Sequence, residues 1–282
     1  MSAPKAPNEA AHGAADRQAR LRPAHWRAAV AVFDAIWRER RVADATLQAW
    51  FREHREMGGR DRAQLTGLVY GVLRDAMRLA RIAGLEATAE THEEGEASLL
   101  LALHALDRGL IERDALRVLI GDAGEVADRA AQRLAVFDAA TLTQAERYNV
   151  PAPVWAAWCA QYGAADTAEV ADALNREAPV DLRVNTLKAT REAAIEWLAG
   201  DGIDAQPTPY AATGLRLARR AALQNASAWR DGGVEPQDEG SQLLAALVGA
   251  QAGECVVDYC AGAGGKTLAL GAAMRNEGEL WA

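Results

Sequence analysis

Cysteine is scarce in this chain: Cys159, Cys255 and Cys260 are the three in 282 residues. An odd number without metal-ligand spacing excludes a disulfide framework and a cysteine-built metal site, and fits a reducing cytoplasm. No stretch approaches the roughly 18 apolar residues that a membrane-spanning helix needs. Residues 1–16 are rich in alanine, proline and polar side chains and lack the apolar segment of a signal peptide, so they read as a disordered tail. A positive net charge is also lacking. The value of −8 argues at first against nucleic acid, but the charge is uneven. Residues 1–82 hold 15 Lys and Arg against 9 Asp and Glu, a surplus of six, which leaves about −14 for the remainder. Nearly all of the basic charge there is arginine, the side chain that grips phosphate with two hydrogen bonds and stacks on bases. Arg17, Arg20, Arg22, Arg27, Arg38, Arg40 and Arg41, then Arg52, Arg55, Arg60 and Arg62, are therefore a candidate RNA-contacting group. The competing reading is a solvated helix face with ion pairs along each helix.

Glycine is missing from two positions that matter. The stretch Val256-Val257-Asp258-Tyr259-Cys260-Ala261-Gly262-Ala263-Gly264-Gly265-Lys266-Thr267 runs from a short β-branched strand into an Ala/Leu-rich helix, with its glycines at the turn. A phosphate-binding Gly-x-x-x-x-Gly-Lys-Thr loop would need glycine at 260, where Cys260 stands; a dinucleotide Gly-x-Gly-x-x-Gly loop would need it at 267, where Thr267 stands. The acidic-x-Gly-x-Gly-x-Gly loop of class I S-adenosylmethionine (SAM) methyltransferases does fit. It lies over Asp258, Cys260, Gly262 and Gly264, with cysteine in the first glycine's place. Such a loop bares the first amides of the helix and lets a bulky ligand approach the backbone. The bland alternative is an ordinary glycine-rich turn.

The run Asp258-Tyr259-Cys260-Ala261-Gly262-Ala263-Gly264-Gly265-Lys266-Thr267 resembles the Asp-x-Cys-Ala-x-Pro-Gly-Gly-Lys-Thr loop of the RsmB/Sun (Fmu) family of RNA cytosine carbon-5 methyltransferases. Leu182-Arg183-Val184-Asn185-Thr186-Leu187-Lys188 and Pro236-Gln237-Asp238-Glu239-Gly240-Ser241-Gln242 resemble segments at the same relative places in that family. The motifs cover roughly Leu182 to Ala282. Ala263 departs from the family's usual proline, which should loosen the loop without removing contacts made by backbone amides. The resemblance implies SAM as cofactor, bound by Cys260, Ala261, Gly262, Ala263, Gly264, Gly265 and Lys266. It also implies RNA, ribosomal RNA above all, as partner, with Arg183, Asn185 and Lys188 as candidate contacts; the alternative for these three is a polar strand end.

Residues 17–145 read as a helical bundle. Ala28, Val32, Ala35 and Ile36 make one apolar stripe, and Leu65, Leu68, Val69, Val72 and Leu73 make a second. Asp44 and Asp61 are candidate N-caps, and Gly58-Gly59 and Gly84 are punctuation. Arg60 to Arg74 resembles the NusB-like domain that precedes the catalytic part in this family. Trp26, Trp37 and Trp50 read as core; His25, His54, His92 and His104 have no ligand partners at metal spacing and read as surface or packing residues. Residues 146–232 read as linker helices and a small α+β domain with an antiparallel sheet: strands at 180–185, 203–206 and 214–217, with a helix at 190–198. Residues 233–282 read as the beginning of a Rossmann-like SAM-binding α/β domain. The fold class expected is thus mixed, an all-α bundle, a small α+β domain and the start of an α/β domain.

A SAM-binding domain needs roughly 200 residues, so the sequence predicts that this domain is incomplete, the ribose-binding acid falling just past Ala282. Cytosine carbon-5 methylation also needs a thiolate to add to carbon 6 and a base to take the carbon-5 proton. The family carries its catalytic cysteines in Pro-Cys and Thr-Cys dipeptides, and this chain has neither. Cys260 belongs to the cofactor loop, Cys255 is expected buried inside a strand, and Cys159 is expected on a core helix, so no catalytic residue is assigned. The reading is a monomeric, cytoplasmic, SAM-dependent rRNA methyltransferase, cut short before its catalytic cysteines and inactive as it stands. The alternative is a NusB-like RNA-binding module with a vestigial SAM loop.

Overall fold

The computed structural model describes residues 21–87, 91–121 and 124–282, which form two compact units divided between Arg176 and Glu177. The expected tail, and Arg17 and Arg20, lie outside the described residues. The first unit is helical throughout its described residues: α1 (Pro23–Trp37), α2 (Ala43–Glu53), α3 (Gly59–Leu73), α4 (Ala76–Ala83), α5 (Glu96–Asp107), α6 (Arg113–Ile120), α7 (Glu125–Val136), α8 (Gln144–Arg147), α9 (Ala152–Tyr162) and α10 (Ala164–Asn175). Leu99 to Ala105 of α5 are buried without a break, as befits a helix that is apolar on every side and sits at the centre. α1, α3, α4 and α7 pack around it. The two expected stripes face this core through Ala28, Val32 and Ile36, and through Leu65, Leu68, Val69 and Val72. Trp26 and Trp37 are buried with them, whereas Trp50 is half-buried.

One glycine decides how closely α3 approaches α5. A Cβ on Gly71 would stand 2.3 Å from Nε2 of His104, so any larger residue would have to push the imidazole aside. His104 is buried, and that burial, with the charge of Arg108 next, pushes its pKa down to about 4. Neither expected aspartate takes the N-cap position. Val42 and Gly58 stand there instead. Asp61 sits at the third helical position and accepts the Gly58 amide at 3.3 Å, while Asp44 accepts the Tyr70 hydroxyl from α3. Gly84 does end α4, at φ 72°.

The second unit begins with β1 (Asp181–Val184), α11 (Arg191–Gly200), β2 (Ala205–Pro207), β3 (Gly214–Leu217), α12 (Ser227–Arg230) and β4 (Val234–Pro236). The four strands form one antiparallel sheet in the order β2-β3-β1-β4. β4 was not expected from the sequence: its three residues, Val-Glu-Pro, carry no readable alternation, and it exists because it pairs with β1, Arg183 opposite Glu235. Leu182, Val184, Leu198, Leu215 and Val234 form the core beneath α11. The other face of β1 meets α13 (Glu239–Leu247), so all four β1 residues are buried. β5 (Cys255–Val257), α14 (Gly265–Ala273) and β6 (Glu279–Trp281) follow as a parallel strand-helix-strand unit, Val256 opposite Leu280. Its own small core is Ala250, Leu270 and Met274 with Val256 and Leu280.

Candidate functional site

The site is built where β5 turns into α14. Gly262 and Gly264 both have left-handed backbones, φ 57° and 83°, conformations that favour glycine. The Gly264 amide closes a turn onto the Ala261 carbonyl at 2.8 Å, and Gly264 then caps α14, its own carbonyl accepting the Leu268 amide at 2.9 Å. The amides of Gly265, Lys266 and Thr267 precede that first helical bond and carry the positive end of the helix dipole. A Cβ on Gly264 would meet no atom within 4 Å, and one on Gly262 only the Cys260 carbonyl at 3.9 Å, so open space lies beside both glycines. Cys260, Gly262, Ala263 and Lys266 are exposed. Residues present here fit a bulky ligand that hydrogen-bonds backbone amides and has an anionic group for the helix end.

Asp258 ties the loop shut. Its carboxylate Oδ2 accepts the Thr267 hydroxyl at 2.7 Å, and its amide donates to the Trp281 carbonyl at 2.7 Å, so the end of β5, the first turn of α14 and the end of β6 are joined at one residue. Behind the loop, Gln237 lies against it: a Cβ on Gly265 would be 3.4 Å from Gln237 Nε2. The expected cofactor residues therefore share one turn, with Asp258 and Thr267 bonded across it and Gln237 beside it. The sequence offered a signal for Gln237 only in the quoted stretch 236–242, without a role.

The three candidate RNA contacts are placed differently from one another. Arg183 is not a surface residue: 4% of it is exposed, and its guanidinium donates to Glu235 Oε2 at 2.5 Å and to Gln237 Oε1 at 2.8 Å. A contact with RNA needs an exposed cation, and α13 covers this face of β1. Asn185 is half-buried; its Nδ2 donates to the Gly232 carbonyl at 3.0 Å and its Oδ1 accepts the Leu187 amide at 3.1 Å. Lys188 is exposed, with Nζ on the Asp231 carbonyl at 2.5 Å. Asn185 and Lys188 thus brace the turn before β4.

A network absent from the sequence reading holds α13 to the sheet. Arg216 donates to both oxygens of Asp181, at 2.7 and 2.9 Å, and approaches Glu239 at 3.5 Å. Glu239 Oε1 accepts the amides of Tyr210 and Ala211 at 2.6 and 2.9 Å. Burial works to raise the Glu239 carboxyl, but those amides, the Thr208 hydroxyl and the Arg216 charge outweigh it and hold the group below the usual carboxylate range. Gln242 donates from Nε2 to the carbonyls of Leu182 and Gln237, at 3.2 and 2.9 Å.

The cysteines depart from expectation. Cys255 is exposed, because only Val256 of β5 faces the small core and no described element covers the face that bears Cys255 and Val257. Cys159 is half-buried on α9, a helix with no fully buried residue. Among the described residues no group of His, Cys, Asp and Glu could hold a metal ion, and no helix is long and apolar enough to cross a membrane.

The arginine-rich part of the first unit divides into paired and open side chains. Arg38 is held by Asp34 and Arg41 by Glu39, both at 2.7 Å, and Arg62 donates to the Met57 carbonyl at 2.9 Å. Arg22, Arg27, Arg52, Arg55 and Arg60 are exposed.

Residues 151–224 match the family model of the RsmF/B-like methyltransferase ferredoxin-like domain. The probable ribosomal RNA small subunit methyltransferase B of Bacillus subtilis (strain 168) is 26% identical over 246 residues, 80% of this chain and 55% of that protein. Ribosomal RNA small subunit methyltransferase B of Sodalis glossinidius (strain morsitans) is 35% identical over 136 residues, 45% of this chain and 30% of that protein. The crystal structure of PH0851 superposes with a TM-score of 0.64 at 20% identity, over 92% of this chain and 63% of that one, a likeness of fold. The chain thus spans about half the length of the Bacillus relative. The ferredoxin-like segment of the RsmF/B-like methyltransferase type and the rRNA methyltransferase relatives support an RsmB/Sun-family methyltransferase.

Proposed function

We propose that this chain is the RNA-docking and cofactor-loop part of a SAM-dependent rRNA cytosine carbon-5 methyltransferase of the cytoplasm. The observation that carries the reading is the turn at Gly262 to Gly265: two left-handed glycines between a parallel strand and a helix, open space beside them, and three helix amides without helical partners. A Rossmann-like SAM domain begins with such a unit. SAM, when bound, supplies the methyl group as an electrophile. The chain's own residues hold and orient it: Gly262 to Lys266 through their backbones, with Asp258 and Thr267 fixing the turn. The first unit is read as NusB-like, with its exposed arginines on RNA phosphates. Asn185 and Lys188 remain proposed RNA contacts at the sheet domain, and Arg183 is reassigned to the framework.

The thiolate that must add to cytosine carbon 6 is none of the three cysteines here. Cys260 sits in the turn that the cofactor fills, where the base does not reach. Cys255 lies on β5 and Cys159 on α9, and neither is a residue of the loop. We assign the nucleophile to sequence that the longer relatives have and these 282 residues do not. The test is calorimetric titration of the full-length protein with SAM, beside transfer of labelled methyl groups to unmodified rRNA. Binding and transfer are expected; RNA binding without SAM binding would leave an RNA-binding module with a vestigial loop.

A further inference from the structure

Gln237, from outside the loop, places free hydrogen-bond donors beside the start of α14. Its orientation is settled by chemistry. Arg183 has only donors, so the Gln237 atom 2.8 Å from Arg183 Nε must be the amide oxygen, and Nε2 must point the other way. That way lies Gly265, where a Cβ would come within 3.4 Å of Nε2. Among the described residues nothing accepts from Nε2, while the other polar groups of Gln237 are used: its amide donates to the Asp181 carbonyl at 3.1 Å and its carbonyl accepts from Gln242.

The placement of Arg183 follows from the sheet. Glu235 is its direct partner across the β1–β4 pairing, and Gln237, two residues on, follows on the same face. One buried guanidinium therefore bridges both, at 2.5 Å to Glu235 and 2.8 Å to Gln237. Glu235 holds the guanidinium in place, and the arginine keeps the Gln237 amide from flipping.

We propose that Gln237 is a cofactor-binding residue that donates from Nε2 to the carboxylate of the methionine moiety of SAM, and that Arg183 is its positioning residue. This rests on the SAM reading of the loop. The helix amides of Gly265 and Lys266 favour an anionic acceptor at this end of α14, and Gln237 adds side-chain donors to it without adding charge.

Calorimetric titration of the full-length protein tests the proposal, with SAM, S-adenosylhomocysteine and methylthioadenosine, which lacks the carboxylate. Gln237→Leu keeps the volume and removes the donors. It should raise Kd for SAM and S-adenosylhomocysteine about 10-fold, the scale of one charge-assisted hydrogen bond, and leave Kd for methylthioadenosine and for RNA unchanged. Arg183→Lys keeps the charge but loses the fork. It should weaken SAM binding in the native background and have no further effect in the Gln237→Leu background. An unchanged SAM affinity in Gln237→Leu, or an equal loss for methylthioadenosine, would overturn the assignment of Gln237. A full Arg183→Lys effect in the Gln237→Leu background would overturn that of Arg183. If Arg183→Lys does not fold, the comparison of ligands with Gln237→Leu still decides. Failure of the native protein to bind any of the three ligands would instead remove the cofactor reading itself.

Discussion

Substituting Gly264 probes the proposed cofactor loop most directly. The residue holds φ 83° and ψ 5° at the cap of α14, and a Cβ would meet no atom within 4 Å. The cost of a side chain there is therefore conformational and not steric. For an L-residue the left-handed region costs roughly 1–2 kcal/mol, so Gly264→Ala should favour a relaxed turn in the free protein by that amount. Binding must then restore the native turn, and at about 1.4 kcal/mol per decade the SAM affinity should fall roughly 5- to 30-fold. Gly264→Val is worse, since a β-branched residue at positive φ is a genuine outlier and the branch would extend into the space the ligand needs. It should bring binding below detection. The bundle has its own core around α5, so the far-UV helical signal should persist in both variants. Calorimetry with SAM beside circular dichroism is the assay. An unchanged affinity in Gly264→Val would show that residues 256–267 are an ordinary turn, and the methyltransferase reading of this loop would fall.

His104 gives a pH test. Its folded pKa near 4 lies below the ordinary 6.5, so the unfolded chain takes up a proton first as pH falls. The neutral, buried imidazole favours the fold above pH 6.5, and that contribution is lost between pH 6.5 and 4, up to about 3 kcal/mol for a shift of this size. Denaturant titrations from pH 7 to 4 should show the loss, and His104→Leu should flatten it; identical slopes would refute the account. These 282 residues alone should transfer no labelled methyl to rRNA above background, and incorporation that vanished in Cys260→Ala would make that cysteine the nucleophile. RNA binding by the chain should weaken steeply between about 50 and 200 mM salt, because arginine-phosphate contacts release counterions. A flat profile would return Arg22, Arg27, Arg52, Arg55 and Arg60 to a solvated face.

What the sequence determined by itself is local. The stripes at 28–36 and 65–73 are visible because helical burial repeats within a few residues, and the glycines at 262 and 264 because a left-handed turn restricts residue type wherever it occurs. The strand, loop and helix around Asp258 were legible for the same reason. The tertiary structure decided what depends on distant partners. β4 is three residues long and is a strand only because β1 lies beside it. The resemblance made Arg183 a candidate RNA contact, but α11 and α13 cover both faces of the sheet there, so the arginine is buried against Glu235, 52 residues away. Cys255, in an apolar strand, was expected inside, yet burial requires a covering element, which sequence pattern cannot supply. Gln237 shows the same division: its residue type was plain to read, whereas the direction of its free donors came only from the arginine, 54 residues earlier in the chain, that holds its oxygen.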